Sequence, residues 1–185
     1  MPVKGQILTD PANQNVYEFI ETASDTGGER VVMKATIKQK GRFVPNHMHV
    51  LQDETFEVIS GKLTVFKDGK VSTIGSGEKV VLPKNESHNH YNSEDIPLTY
   101  IQTVRPALDF DFMVENLVGL AADGKSKNGN YGLVQELVTL KYLDSKTFLA
   151  DIPVGIQKIL MHTIAPLGRL FGYRAIYKKY SGIEK

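Results

Sequence analysis

Cysteine is absent from all 185 residues, which excludes disulfides, thiolate metal sites and a cysteine nucleophile. Neither sign of charge dominates. Lys plus Arg number 22 against 21 Asp plus Glu, a formal net charge of +1. That balance gives no electrostatic ground for expecting nucleic acid as a partner. No stretch approaches the roughly 20 apolar residues needed to span a bilayer. Residues 1–10 contain one lysine and no continuous apolar run, so they do not read as a signal peptide. Internal repeats and low-complexity segments are missing too. The expectation is a soluble cytoplasmic protein, long enough for one domain with a real core and some additional structure, and tight for two full ones.

What is present changes character near Arg105-Pro106. Before it, short runs rich in β-branched and aromatic residues (16–20, 30–38, 56–59, 63–66, 80–82 and 98–104) alternate with glycine-bearing turns. Closely spaced short strands of this kind predict an all-β sandwich or barrel. Asp68-Gly69, set between residues 63–66 and 71–74, is the strongest hairpin signal. After Pro106 the apolar period moves from two towards 3.6. Phe110, Met113, Val114, Leu117 and Leu120-Ala121 form one helical stripe, with Asp109 as candidate N-cap and an end near Gly124. Leu133, Leu137 and Leu140, with Val134 and Val138, predict a second and more fully buried helix. A third follows Ile156, Ile159, Leu160, Thr163, Ile164, Leu167, Leu170 and Phe171, and Pro166 is expected to break or kink it.

Four of the five histidines fall between positions 47 and 90, within the β-rich part. His47 and His49 are two apart, so on a strand both rings point to one face. Glu54 follows, and His88 arrives from a separate strand. Neutral imidazoles with one carboxylate suit a borderline divalent cation such as Fe, Mn, Ni, Cu or Zn. A lone histidine pair would more simply be a polar outer face; this pair does not stand alone.

The pattern G-x5-H-x-H-x4-E-x6-G over Gly41, His47, His49, Glu54 and Gly61 resembles the first cupin motif in every fixed position. Gly77, Pro83, Asn85, His88 and Asn92 resemble the second at matching spacing, with Asn85 where the family usually has glycine. Asparagine tolerates a left-handed backbone best after glycine, so the departure costs the turn little. The segment from about residue 16 to 106 is thus similar to germin-like, single-barrel cupins. The resemblance implies a mainly β fold, a jelly-roll barrel over residues 1–106, with residues 107–185 as a helical extension packed on the barrel or at a dimer interface. It also implies one divalent metal ion on His47, His49, Glu54 and His88, and a homodimer. Gly41, Gly61, Gly77 and Pro83 then serve strand connections.

Residues beside the ligands carry further expectations. His90 and Asn92 share the parity of His88 and face the same interior. His90 is a candidate proton carrier with Glu54, or else a core histidine bonded to backbone. Phe56 and Val58 share the parity of Glu54 and are expected to line the pocket, whereas Glu57 faces outward. Tyr100 and Gln102 alternate on the last barrel strand without a settled parity. The third helix is basic and apolar; its stripe is expected to cover the barrel or a subunit interface rather than lie on a membrane. His162 within it is read as structural. For function, the resemblance implies a mononuclear metal enzyme acting on a small organic molecule by quercetinase-like dioxygenation. A non-catalytic ligand-binding or sensing module, or a metal-dependent isomerase or lyase, are the alternatives.

Overall fold

The computed structural model describes residues 1–41, 44–67, 69–127 and 129–185. Ten strands come first: β1 (Ile7–Thr9), β2 (Val16–Glu21), β3 (Val31–Ile37), β4 (His47–His49), β5 (Asp53–Ser60), β6 (Lys62–Lys67), β7 (Lys70–Gly75), β8 (Lys79–Leu82), β9 (His88–Asn92) and β10 (Leu98–Arg105). Then follow α1 (Phe110–Ala122), α2 (Leu133–Tyr142), a short β11 (Thr147–Leu149), α3 (Val154–Leu170) and the single turn α4 (Lys178–Ser181). The strands form two antiparallel sheets, ordered β1-β2-β3-β10-β5-β8 and β11-β4-β9-β6-β7. No strand is shared between them among the described residues, so the jelly roll is an open sandwich rather than a closed barrel.

Alternation builds the interior. On β3, Val31, Met33, Ala35 and Ile37 are buried; on β10, Leu98, Tyr100, Gln102 and Val104 are buried, which settles the parity of Tyr100 and Gln102. Both sheets contribute to one core, with Ala35, Phe56, Val58, Leu82 and Leu98 from the first against Leu63 and Val65 from the second. Each large side chain fully buried there contributes about 1.5–3 kcal/mol. Glu57 is exposed, as its parity requires. The β6–β7 hairpin pairs Lys67 with Lys70, where the turn was expected; Asp68 itself lies outside the described residues. Gly61 connects β5 to β6 at φ +79°, and a Cβ there would stand 2.7 Å from the Pro97 carbonyl oxygen. Only glycine fits that crossing. Asn85 does adopt the left-handed backbone, at φ 64°.

The helical part departs from expectation in three places. Asp109 stands at the N-cap of α1 without capping it. Its carboxylate instead accepts the backbone N–H groups of Asp144 and Ser145 and an ammonium proton of Lys185. Pro166 neither breaks nor ends α3, which continues to Leu170. The residue sits on the solvent side, as does His162, whose carbonyl loses its helical donor and can turn to water. Leu133, expected in the buried row of α2, is 57 % exposed.

The apolar arc of α3 is wider than one neighbour can cover. Gln157, Met161, Ala165 and Gly168 face inward, while Ile156, Ile159, Leu167, Leu170 and Phe171 face outward, the last two being more than 80 % exposed. The inward face packs on α2, where Gly168 lets Val134 and Val138 approach closely. No helix among the described residues is long and apolar enough to cross a membrane.

β11 was not foreseen. It pairs antiparallel with β4, Thr147 opposite His49 and Leu149 opposite His47, so the strand bearing two histidines has partners on both sides, β9 and β11. The chain beyond β10 is tied back as well: Gln52 donates to the carbonyls of Pro106 and Ala107.

Candidate metal centre and its cavity

His47 and His49 project inward from β4, and His88 stands opposite His47 in the register with β9. Glu54 comes from β5 in the facing sheet, so the group bridges the two layers. All four side chains are buried, and one ligand atom from each lies within 4.8 Å of the others. Between sheets, His49 Nε2 is 3.3 Å from Glu54 Oε1, and His88 Nε2 is 3.2 Å from Glu54 Oε2. Within β4, the two histidine Nε2 atoms are 3.2 Å apart.

The outer nitrogens explain why the inner ones are available. His47 Nδ1 lies 2.8 Å from the Pro45 carbonyl, and His88 Nδ1 lies 3.0 Å from that of Glu86. A carbonyl only accepts, so each Nδ1 carries the proton, and in a neutral ring Nε2 keeps its lone pair. His47 is neutral: burial above all, then the neighbouring His49, pushes it down to about 3. Burial alone would raise the Glu54 carboxyl, but the adjoining His49, His88 and His47 outweigh it and hold the group well below the usual carboxylate range. Gln102 Nε2 donates to Glu54 Oε1 at 2.9 Å and orients it.

One juxtaposition tests the fit to a metal. His88 Nε2 and Glu54 Oε2 face each other, both buried, and neither has a hydrogen-bond partner. A lone pair against a carboxylate oxygen is repulsive unless a cation, whether a proton or a metal ion, stands between them. Three imidazole nitrogens and one carboxylate, closely spaced and already oriented by their outer partners, fit a single divalent ion.

His49 is oriented by a residue that motif reading missed. Thr147 Oγ1, on β11, lies 3.0 Å from His49 Nδ1. The only sequence signal was a threonine two residues before Leu149 in a stretch with no strand-length pattern.

His47, His49 and Glu54 border a cavity of about 360 Å³, whereas His88, fully buried, stands behind them. The open side of the centre therefore faces that space. His90, Tyr100 and Gln102 line its strand wall; α1, α2 and α3 supply the rest. His90 is not a backbone-bonded core histidine: its Nδ1 is sealed and unpartnered, and its ring lies 4.4 Å from that of Phe56, centroid to centroid. Burial pushes it down to about 4, so the ring is neutral near pH 7. Phe56 and Val58 share the interior but belong to the packed core beneath the cavity rather than to its lining. Asn92 braces the turn after β9, donating to the Ile96 carbonyl and accepting from Glu94 N–H. His162 lies on the exposed side of α3, bonded to the Lys158 carbonyl.

Two facing antiparallel sheets with a buried three-histidine, one-glutamate cluster define a β-sandwich of metal-binding type. Residues 26–104, somewhat less than half of the chain, match the family model for the cupin domain, Cupin_2. Among solved structures it is similar to KdgF from a Halomonas species, at 14 % identity over 57 % of this chain and 89 % of that one, TM-score 0.49. It is similar also to a predicted oxalate decarboxylase from Thermotoga maritima, at 14 % identity over 57 % and 99 %, TM-score 0.48. A cupin-superfamily sugar phosphate isomerase from Silicibacter pomeroyi shares 19 % identity over 49 % of this chain, TM-score 0.43; the chain spans 59 % of its length. Likenesses of this size say nothing of substrate. No curated protein matches the sequence.

Proposed function

We propose that His47, His49, Glu54 and His88 hold one divalent metal ion and that the protein is an enzyme acting on a small organic molecule, with dioxygenase chemistry as the leading reading. The observation that carries it is the set of four converging ligand atoms with its open side on a cavity. With four ligands supplied by the protein, such an ion would keep open positions for an oxygen-bearing small molecule. When bound, the ion would polarise an enol or diol and bring it together with oxygen.

The protein's own groups do the rest. Glu54, ionised and held by Gln102, is a base positioned to take a proton from a substrate hydroxyl. His90, neutral and bordering the cavity, can take or relay it. The helices form the wall opposite the strands.

Oxygen-electrode assays on protein loaded separately with Fe, Mn, Ni and Cu, using catechols, flavonols and diketones, test this reading. Substrate-dependent oxygen uptake that disappears in Glu54→Gln is the expected result. Turnover of a substrate without oxygen uptake would move the reading to isomerase or lyase chemistry, and tight binding without turnover to a sensing module. Homodimerisation is part of the same proposal, with the outward row Ile156, Ile159, Leu167 and Leu170 of α3 as the surface for it. Sedimentation equilibrium of the full chain should give twice the monomer mass; a monomer at about 50 µM would sink it, that being far above the Kd of a stable dimer.

A further inference from the structure

We infer that the cavity takes an apolar molecule, aromatic or chain-like, with one oxygen-bearing chelating end, and not a phosphorylated sugar or a small dicarboxylate. The inference deepens the metal-enzyme reading and rests on it for the polar end alone. Its ground is the composition of the walls. The cavity of about 360 Å³ falls within the roughly 300–1,000 Å³ of small-molecule sites. Not one of its lining residues, among the described residues, is lysine or arginine. Its acids, Asp10, Glu54 and Glu136, add only negative charge. A phosphate dianion brought in would lose its hydration without meeting a lysine or arginine among the described lining residues. An ion of charge two beside Glu54 leaves one net positive charge, enough for a single enolate or phenolate oxygen.

The two walls differ. Towards the strands the lining around the cluster is polar, with His47, His49, His90, Tyr100 and Gln102 beside Glu54, and Met33 and Ile37 of β3 lie beyond it. Towards the helices it is Phe110, Met113, Val114 and Leu117 of α1, Leu137 and Leu140 of α2, and Leu160 of α3. Two of the polar helix residues there are already engaged, while Glu136 and Thr139 of α2 also line the space. Gln157 serves Leu149 and Ile152, and Gln135 serves Arg174 and Tyr177. A sugar seated against α1 and α2 would set most of its hydroxyls against leucine, valine and methionine side chains. An apolar body against α1 and α2, its oxygen end at the histidines, matches both walls.

Nile red, uncharged and without a chelating group, probes the apolar wall in the full chain with or without metal. One saturable site per chain is expected, weakened at least tenfold by Leu117→Arg and, where that variant does not fold by circular dichroism, by Val114→Phe. In metal-loaded protein, calorimetry should show 3-hydroxyflavone binding at least tenfold more tightly than glucose 6-phosphate or oxalate. Absence of a saturable Nile red site, indifference to both variants, or tighter binding of either anion would overturn the inference. Arg42 lies outside the described residues, and a cation it contributed would show as that anion binding. Metal content, measured separately, reports failure of the metal reading without touching the Nile red result.

Discussion

His49→Ala should lower bound metal at least tenfold, read by elemental analysis of protein purified without chelators. Loss of an outer partner alone commonly costs 10–100-fold in affinity, and His49 is an inner donor. Its Nε2 stands 3.2 Å from that of His47 and 3.3 Å from Glu54 Oε1, so removal opens one side of the cluster. It also leaves a buried carboxylate with one histidine contact fewer, which destabilises the metal-free protein as well. His162→Ala is the control: an exposed imidazole on α3, expected to leave metal content unchanged. Full retention of metal by His49→Ala would show that the ion sits elsewhere.

Ending the chain at residue 106 should abolish soluble, metal-binding protein. The cut removes β11 from the open edge of β4, exposing the backbone of the strand that carries two ligands. It uncovers the cluster in which Ala107 and Phe110 pack on Phe19, Val31, Met33 and Val104. It also strips the helix wall from the cavity. Apolar surface of that extent is rare on soluble monomers, so aggregation is the expected outcome, read by light scattering during refolding. Within the full chain, Thr147→Val isolates one part of the loss. It keeps the shape, deletes the hydroxyl on His49 Nδ1, and should weaken metal affinity about tenfold. A truncated sandwich that stays monodisperse and binds metal normally would mean that residues 107–185 serve something other than the sandwich.

The clustering of His47, His49, Glu54 and His88 was legible from the likeness to the cupin motifs, and the shared face of the first two from the strand period of two. His47 and His49 could share an inner face only together, and Glu57 could not join Glu54. The left-handed turn at Asn85 was legible for a related reason, since few residues accept that backbone. Three other features were not. β11 has three residues and no alternation long enough to register, and its partner is far away in the chain. On α3 the apolar arc exceeds the face one neighbour can cover, so periodicity located the helix without saying which side would be dry. Asp109 was read as a cap because a local rule supplies caps, yet long-range donors at Asp144, Ser145 and Lys185 claimed its oxygens. In each case a distant partner decided what local pattern could not.

The pairing of β4 with β11 also orders events in time. During synthesis His49 emerges 98 residues ahead of Thr147, and chains are made at about 5–20 residues per second. For several seconds the nascent chain holds its metal-binding histidines on an edge strand, with neither Thr147 in place nor helices over the mouth. Closure is thus a late step, reached after both sheets have had time to form. The finished centre records that the helical portion has arrived and docked.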